Sequence, residues 1–258
     1  MEAEASTATM TAKSPTPPTL ATLPTTPPTA DAGHSRARTV AVHVGKVILR
    51  VLVAYYVFCL VLLGLLRFVA PPTTAVQLQR RVEAFVTRRP FHIEKRFVPY
   101  SRLPSAVGRA VIVAEDGRFW RHHGFDVEEM RDAASDVLEG DVPRGASTLT
   151  QQLVKNLFGC ACRNPMRKIY DWTLTPPAEL ILGKERILEL YLNTVEWGPG
   201  VFGVDAAARH HYGVNAPDLT RAQSASLAAL LPNPLRRTPE NTVKYRAEIL
   251  RRMEYRGW

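Results

Sequence analysis

The chain has 258 residues, is 46% hydrophobic and carries a formal charge of +9. That length leaves room for one domain of moderate size with accessory segments. The positive balance favours anionic partners such as lipid headgroups, pyrophosphate or nucleic acid.

The first 34 residues, including KSPTPPTLATLPTTPPTA, are rich in Pro, Thr and Ala and poor in large apolar side chains. Such a segment buries too little surface to offset its ordering entropy, so residues 1–45 are expected to form a disordered tail. It has too little Arg and Ser for a transit peptide. The stretch VGKVILRVLVAYYVFCLVLLGLLRFVAPP follows, with sixteen uncharged residues from Val51 to Leu66 between Arg50 and Arg67. With its apolar flanks and both arginines snorkelling, residues 46–70 supply the roughly 20 residues that a bilayer requires. A cleaved signal peptide is disfavoured by the length of the run and by the lack of a small-residue cleavage site.

Lys13, Arg36, Arg38, Lys46 and Arg50 precede the run, and Arg67 alone follows closely. The positive-inside rule then places the N-terminus in the cytoplasm and residues 71–258 outside. Nucleic acid is set aside as a partner on that ground. Cys59 lies within the anchor; Cys160 and Cys162 lie outside it. Their one-residue spacing would strain a disulfide and is not a common zinc pattern, so no metal site is assigned to them.

From Leu103 the pattern is mostly helical. PSAVGRAVIVAED predicts a helix ending in carboxylates, and VEEMRDAASDVLEG an amphipathic helix closed by Gly140. STLTQQLVKNLF opens in N-cap style. KERILELYLN puts Ile187, Leu188, Tyr191 and Leu192 on one face, and DAAARHHYG and LTRAQSASLAALLP predict further short helices. Strand signals are confined to residues near Phe91 to Tyr100. No internal repeat is visible.

Two segments carry chemistry. In AEDGRFWRHHGFD, Glu115 and Asp116 sit at a helix end where negative charge is unfavourable, with Phe119, His122 and Gly124 in the loop beyond. Burial of Glu115 beside aromatic rings would raise its pKa and suit it to acid or base duty. A solvated helix terminus is the plain alternative. In RGASTLTQQLVKNLF, Thr148, Gln152, Lys155 and Asn156 share one helical face. Such a polar stripe offers donors to sugar hydroxyls and phosphate oxygens, where an ordinary surface helix would carry Glu and Lys.

The ordered patterns E-D-x-x-F-x-x-H-x-G, G-x-S-T-x-T-Q-Q-x-x-K-N, R-K-x-x-acid and K-x-R-I-L-E-x-Y-L-N-x-x-x-x-G closely resemble the peptidoglycan glycosyltransferases. These comprise the monofunctional transglycosylases and the glycosyltransferase halves of class A penicillin-binding proteins. The resemblance covers roughly residues 92 to 253. It implies a mainly α, two-lobed, lysozyme-like glycosyltransferase domain behind one N-terminal transmembrane helix. It also implies polymerisation of lipid II: the 4-hydroxyl of an acceptor GlcNAc attacks the donor MurNAc with inversion, and polyprenyl pyrophosphate departs.

By position, the resemblance implies that Glu115 is the general base and that Asp116, Phe119 and His122 shape its surroundings. Thr148, Gln152, Lys155 and Asn156 match donor-site contacts, and Arg167 and Lys168 match cations that hold the pyrophosphate. Asp171 matches a second carboxylate. No cofactor is required, and a divalent cation is compatible with the chemistry but not indicated. Implied partners are lipid II, the nascent glycan strand and the bilayer. Other cell-wall synthases or division proteins are admitted. The implied location is the cell inner membrane, single-pass, with the catalytic domain periplasmic.

The chain departs from the family pattern in four places. Asp171 stands where the family has Glu, with a side chain one methylene shorter. Pro176 and Pro177 fall where the family has uninterrupted helix, which predicts a kink or break. Gln223 replaces a usual Glu, and GCACRNPM reads as an insertion. A second reading is therefore a catalytically weakened lipid II-binding scaffold in a wall-synthesis complex. A third is a lysozyme-like hydrolase, which would have no reason to gather cations beside a lipid anchor.

Overall fold

The computed structural model describes residues 31–140, 145–159 and 165–258, with side chains omitted for 31–37 and 165–167. The expected disorder of residues 1–30, and Cys160 and Cys162, lie outside the described residues. Ten α-helices and one three-stranded sheet make up the described fold, which is mainly α as the sequence predicts.

Helix α1 runs from Asp31 to Leu66, and its stretch Arg38–Leu66 is long and apolar enough to cross a membrane. It begins well before Lys46, so residues 31–45 are helical where a disordered tail was expected. The stretch AGHSRARTVAVHV contains no proline, and extending an existing helix is far easier than nucleating one. The described residues up to Val51 belong to one unit and Leu52–Trp258 to another.

In the larger unit, the end of α1 is tied down through polar groups. The Tyr55 hydroxyl donates to Phe158 O at 2.9 Å, and Arg186 donates to Leu66 O and Val69 O at 2.9 and 2.8 Å. The arginine thus satisfies one carbonyl that the helix end leaves open and one in the segment that follows it. Helix α2 (Ala75–Val86) and strand β1 (Glu94–Lys95) follow.

The core is built by α3 (Ser105–Glu115), α5 (Leu149–Phe158), α6 (Pro165–Leu182), α7 (Lys184–Thr194), α9 (Arg221–Ala228) and α10 (Val243–Tyr255). Helix α7 lies deepest. The face predicted from its spacing, Ile187, Leu188, Tyr191 and Leu192, is fully buried. Each aliphatic side chain there contributes about 1.5–3 kcal/mol of transfer free energy. Helix α4 (Val127–Leu138) is followed by Gly140 at φ +82, as its sequence predicts, and is capped by Asp126. Helix α8 (Val204–Tyr212) ends on left-handed Gly213. Gln223, the departure in α9, completes a capping box with Thr220.

Strands β2 (Glu196–Gly198) and β3 (Val201–Phe202) join β1 in the order β1-β3-β2, with β3 parallel to β1 and antiparallel to β2. Only β1 falls within the predicted strand region.

Of the kink or break expected at Pro176 and Pro177, the break does not occur. Helix α6 continues unbroken from Pro165 to Leu182 with both prolines inside it. Pro177 has no N–H for Thr173 O, and the Tyr56 hydroxyl donates to that carbonyl instead at 3.0 Å. A borrowed donor of this kind lets a helix tolerate an internal proline.

Candidate active site

Helix α3 ends in Glu115 and Asp116, and the two carboxylates do different things. Asp116 turns inward and is 6% exposed. One of its oxygens accepts the Leu149 N–H at 2.9 Å, at the start of α5. His122 Nε2 lies 2.9 and 3.0 Å from the two oxygens. The Gly124 N–H donates to His122 Nδ1 at 3.1 Å, so the ring proton sits on Nε2 and is donated to Asp116. The cost of an acid at the C-terminus of α3 is offset by the positive N-terminus of α5.

Gly124 is specified by its surroundings. Its φ is +95, and a Cβ there would lie 2.7 Å from Thr175 Cγ2. Its carbonyl accepts the Thr148 hydroxyl at 2.7 Å. Phe119 is fully buried, packs edge-on to His122 and carries the Lys184 ammonium 4.4 Å from its ring centre.

Glu115 faces two cavities and is only partly exposed. Gln152 Nε2 donates to Glu115 Oε2 at 2.9 Å. Burial pushes the Glu115 carboxyl above the ordinary glutamate value, against the opposing pull of the Gln152 bond, Lys155 and Arg237; Asp116 adds to the rise. A carboxylate of raised proton affinity is better suited to accept a proton than an ordinary glutamate.

One cavity, of about 440 Å³, runs from Glu115 past Gln152 and Lys155 to Lys168, Asp171 and Trp172. It gathers both lysines that the sequence singles out, together with Glu115 and Asp171. Lys168 is exposed, with its ammonium 5.4 Å from the Trp172 ring centre. Asp171 is 5% exposed. A Cβ at Gly159 would lie 3.2 Å from Asp171 Oδ1 and 2.9 Å from Lys155 O, so glycine permits this close approach. The second cavity, of about 570 Å³, runs from Glu115 along Ser147 and Thr148 to Tyr245, Arg252 and Arg256.

The expected polar stripe on α5 divides. Gln152 and Lys155 face the first cavity. Thr148 is the N-cap of α5, in a capping box with Gln151, and is 2% exposed. Asn156 is 4% exposed and, among the described residues, lines neither cavity. Arg167 belongs to α6, but its side chain lies outside the described residues. Glu179 accepts Thr150 and Lys184, the latter at 2.8 Å, and holds α5 to the start of α7 rather than reaching the cavity.

Asp116, His122 and Asp126 bring ligand-type atoms within 4.8 Å of one another. These atoms are already engaged: Asp116 by His122 and Leu149, and Asp126 by Arg118 at 2.8 Å and by the Glu129 N–H at 3.0 Å. The cluster is an internal hydrogen-bond hub.

Sequence reasoning passed over Arg237, whose charge favours ionised Glu115, and Tyr245, which lines the second cavity with it. Arg237 lies 5.3 Å from the Tyr245 ring centre and donates to Ala229 O at 2.9 Å. It also passed over the polar end of Tyr191, read only as core, whose hydroxyl donates to Gln152 Oε1 at 2.8 Å. A buried tyrosine implies a hydrogen-bond partner, but its spacing does not name one.

The chain matches the Transglycosylase family over residues 82–254. It is 46% identical over 189 residues to a biosynthetic peptidoglycan transglycosylase of Ectopseudomonas mendocina, covering 72% of this chain and 78% of that protein. Proteins of the same name from Pseudomonas aeruginosa and Stutzerimonas stutzeri are 44% and 47% identical over 176 and 170 residues. Those alignments cover 68% and 66% of this chain and 76% and 70% of the relatives. With the match spanning α3, α5 and α6, which carry the carboxylates and lysines of the cavity, the chain belongs to the transglycosylase family.

Proposed function

We propose that this chain is a peptidoglycan glycosyltransferase that polymerises lipid II, with Glu115 as the general base for the acceptor 4-hydroxyl. The observation that carries the reading is Glu115 itself: a half-buried carboxylate of raised proton affinity, held by Gln152 between two cavities. The cavity with Lys155, Lys168 and Asp171 is read as the donor side. Arg167 is assigned there from its sequence position.

The acceptor hydroxyl loses its proton to Glu115 as its oxygen bonds to the donor anomeric carbon. The bond to the pyrophosphate oxygen breaks, and its electron pair leaves with the polyprenyl pyrophosphate. That leaving group needs positive charge rather than a strong protonating acid, and fixed cations supply it without reorganisation. Direct displacement inverts the centre and needs one base. Asp171 is assigned to ordering the cations at the pyrophosphate end. Asp116, His122, Phe119 and Thr148 hold the loop and the start of α5 on which Glu115 and Gln152 depend. The reading requires no cofactor.

The apolar helix Arg38–Leu66 supports a single membrane pass. The excess of cations before it supports a cytoplasmic N-terminus, with the domain on the periplasmic side of an inner membrane. Nothing in the site favours the scaffold reading.

The test is lipid II polymerisation by the full chain in detergent, with Glu115→Gln and Asp171→Glu alongside. Polymer from the wild type and none from Glu115→Gln is the expected result. Lipid II binding without polymer, in both the wild type and Asp171→Glu, would replace the enzyme with the scaffold.

A further inference from the structure

We propose that Tyr191 is a positioning residue that acts through Gln152: its hydroxyl fixes which face of the Gln152 amide meets Glu115. This rests on the reading of Glu115 as base. Three elements meet in one line. The Tyr191 hydroxyl from α7 donates to Gln152 Oε1 at 2.8 Å, and Gln152 Nε2 from α5 donates to Glu115 Oε2 at 2.9 Å at the end of α3. The other amide hydrogen points towards Ser147 O, 3.4 Å away.

The direction of the chain is dictated by chemistry. An ionised Glu115 only accepts, so the amide must show it nitrogen. The amide oxygen must then face Tyr191, which must donate. Tyr191 is fully buried, and burial, with Glu115 and Asp116 adding to it, holds its hydroxyl protonated and therefore able to donate. Without that donor the amide can turn over, and its oxygen would then face the carboxylate. A lone pair towards a lone pair disfavours the ionised base, so Glu115 would hold its proton to higher pH.

The remaining groups around Glu115 do not perform this function. Lys155 on α5 and Arg237 beyond α9 favour ionisation, and Asp116 opposes it. Tyr245 on α10 donates its hydroxyl to Ala114 O at 3.1 Å rather than to the carboxylate. None of them contacts the amide oxygen of Gln152 among the described hydrogen bonds.

The experiment is a double-mutant cycle read by the pH dependence of lipid II polymerisation. Tyr191→Phe should lower kcat about 3- to 10-fold, leave KM for lipid II unchanged, and move the acidic limb up by about half a pH unit to one unit. In a Gln152→Met background the same substitution should move nothing further, because no amide remains to be oriented. An unmoved limb in Tyr191→Phe, or an equal shift in both backgrounds, overturns the proposal. If Tyr191→Phe alone fails to fold, Gln152→Met compared with the double variant decides. Gln152→Met strands the buried Tyr191 hydroxyl and the double variant does not, so the pair is compared by its limbs and not by its stability; equal limbs support the proposal and unequal limbs overturn it. Glu115→Gln separates the two readings: polymer from it removes the base assignment, whereas a dead Glu115→Gln with an unmoved Tyr191→Phe limb removes only the role of Tyr191.

Discussion

Asp116→Asn probes the joint that sets Glu115 in place. In the native protein one carboxylate oxygen accepts both Leu149 N–H and His122 Nε2–H, and the other lies 2.9 Å from the same His122 nitrogen. Asparagine can keep its oxygen towards Leu149, but its NH₂ then meets the proton on His122 Nε2. The ring cannot escape by moving that proton, because Nδ1 is held as an acceptor by the Gly124 N–H. The substitution therefore removes the charge from the remaining bonds and sets two donors against each other. Bonds to a charged group contribute about 1.5–3 kcal/mol, so a loss of about 2–3 kcal/mol is expected at this buried position. For a domain of this size, that lowers Tm by about 4–12 °C. Thermal unfolding of the detergent-solubilised protein, followed by circular dichroism, measures it. A Tm within a degree of the wild type would refute the argument that Asp116 is the hub joining α3 to α5.

Three further outcomes follow from the same geometry. Glu115→Gln should raise Tm at neutral pH while abolishing activity. The folded carboxyl holds its proton to higher pH than the unfolded one, so native stability falls as pH rises between the two values; an amide escapes that cost. The difference should close on acidification to about pH 4. Thr148→Val removes the N-cap of α5 and the bond to Gly124 O, and should cost about 1–2 kcal/mol in chemical denaturation. Lys155→Met should lower kcat on the order of 10²-fold, as loss of a fixed charge-stabilising group does, and should move the acidic limb up because Lys155 favours the ionised base.

The helices were legible because their caps and spacing are local. Thr148 and Thr220 head capping boxes, Gly213 closes α8, and the Ile187–Leu192 face is core. Glu115 and Gln152 were legible through their motifs. Helix α6 is not broken at its prolines, and local sequence could not show why, because it shows only that Pro177 leaves Thr173 O without its helical donor. That Tyr56 supplies a replacement is a contact between residues far apart in the chain. Thr148 and Asn156 share a helical face with Lys155, yet both are buried, because the loop at Gly124 and neighbouring helices cover part of that face. Strands β2 and β3 span three and two residues, too few for alternation to register. Arg237 sits in a turn whose sequence shows no periodicity, and only packing brings it near Glu115.

The most direct test of the central claim is the pH dependence of kcat/KM for lipid II polymerisation by the full chain, with Glu115→Gln alongside. The account predicts an acidic limb whose midpoint lies above the ordinary glutamate value of 4.5, and loss of polymerisation in Glu115→Gln at every pH. A limb at or below 4.5, or polymer from Glu115→Gln, would contradict the assignment of Glu115 as a desolvated general base.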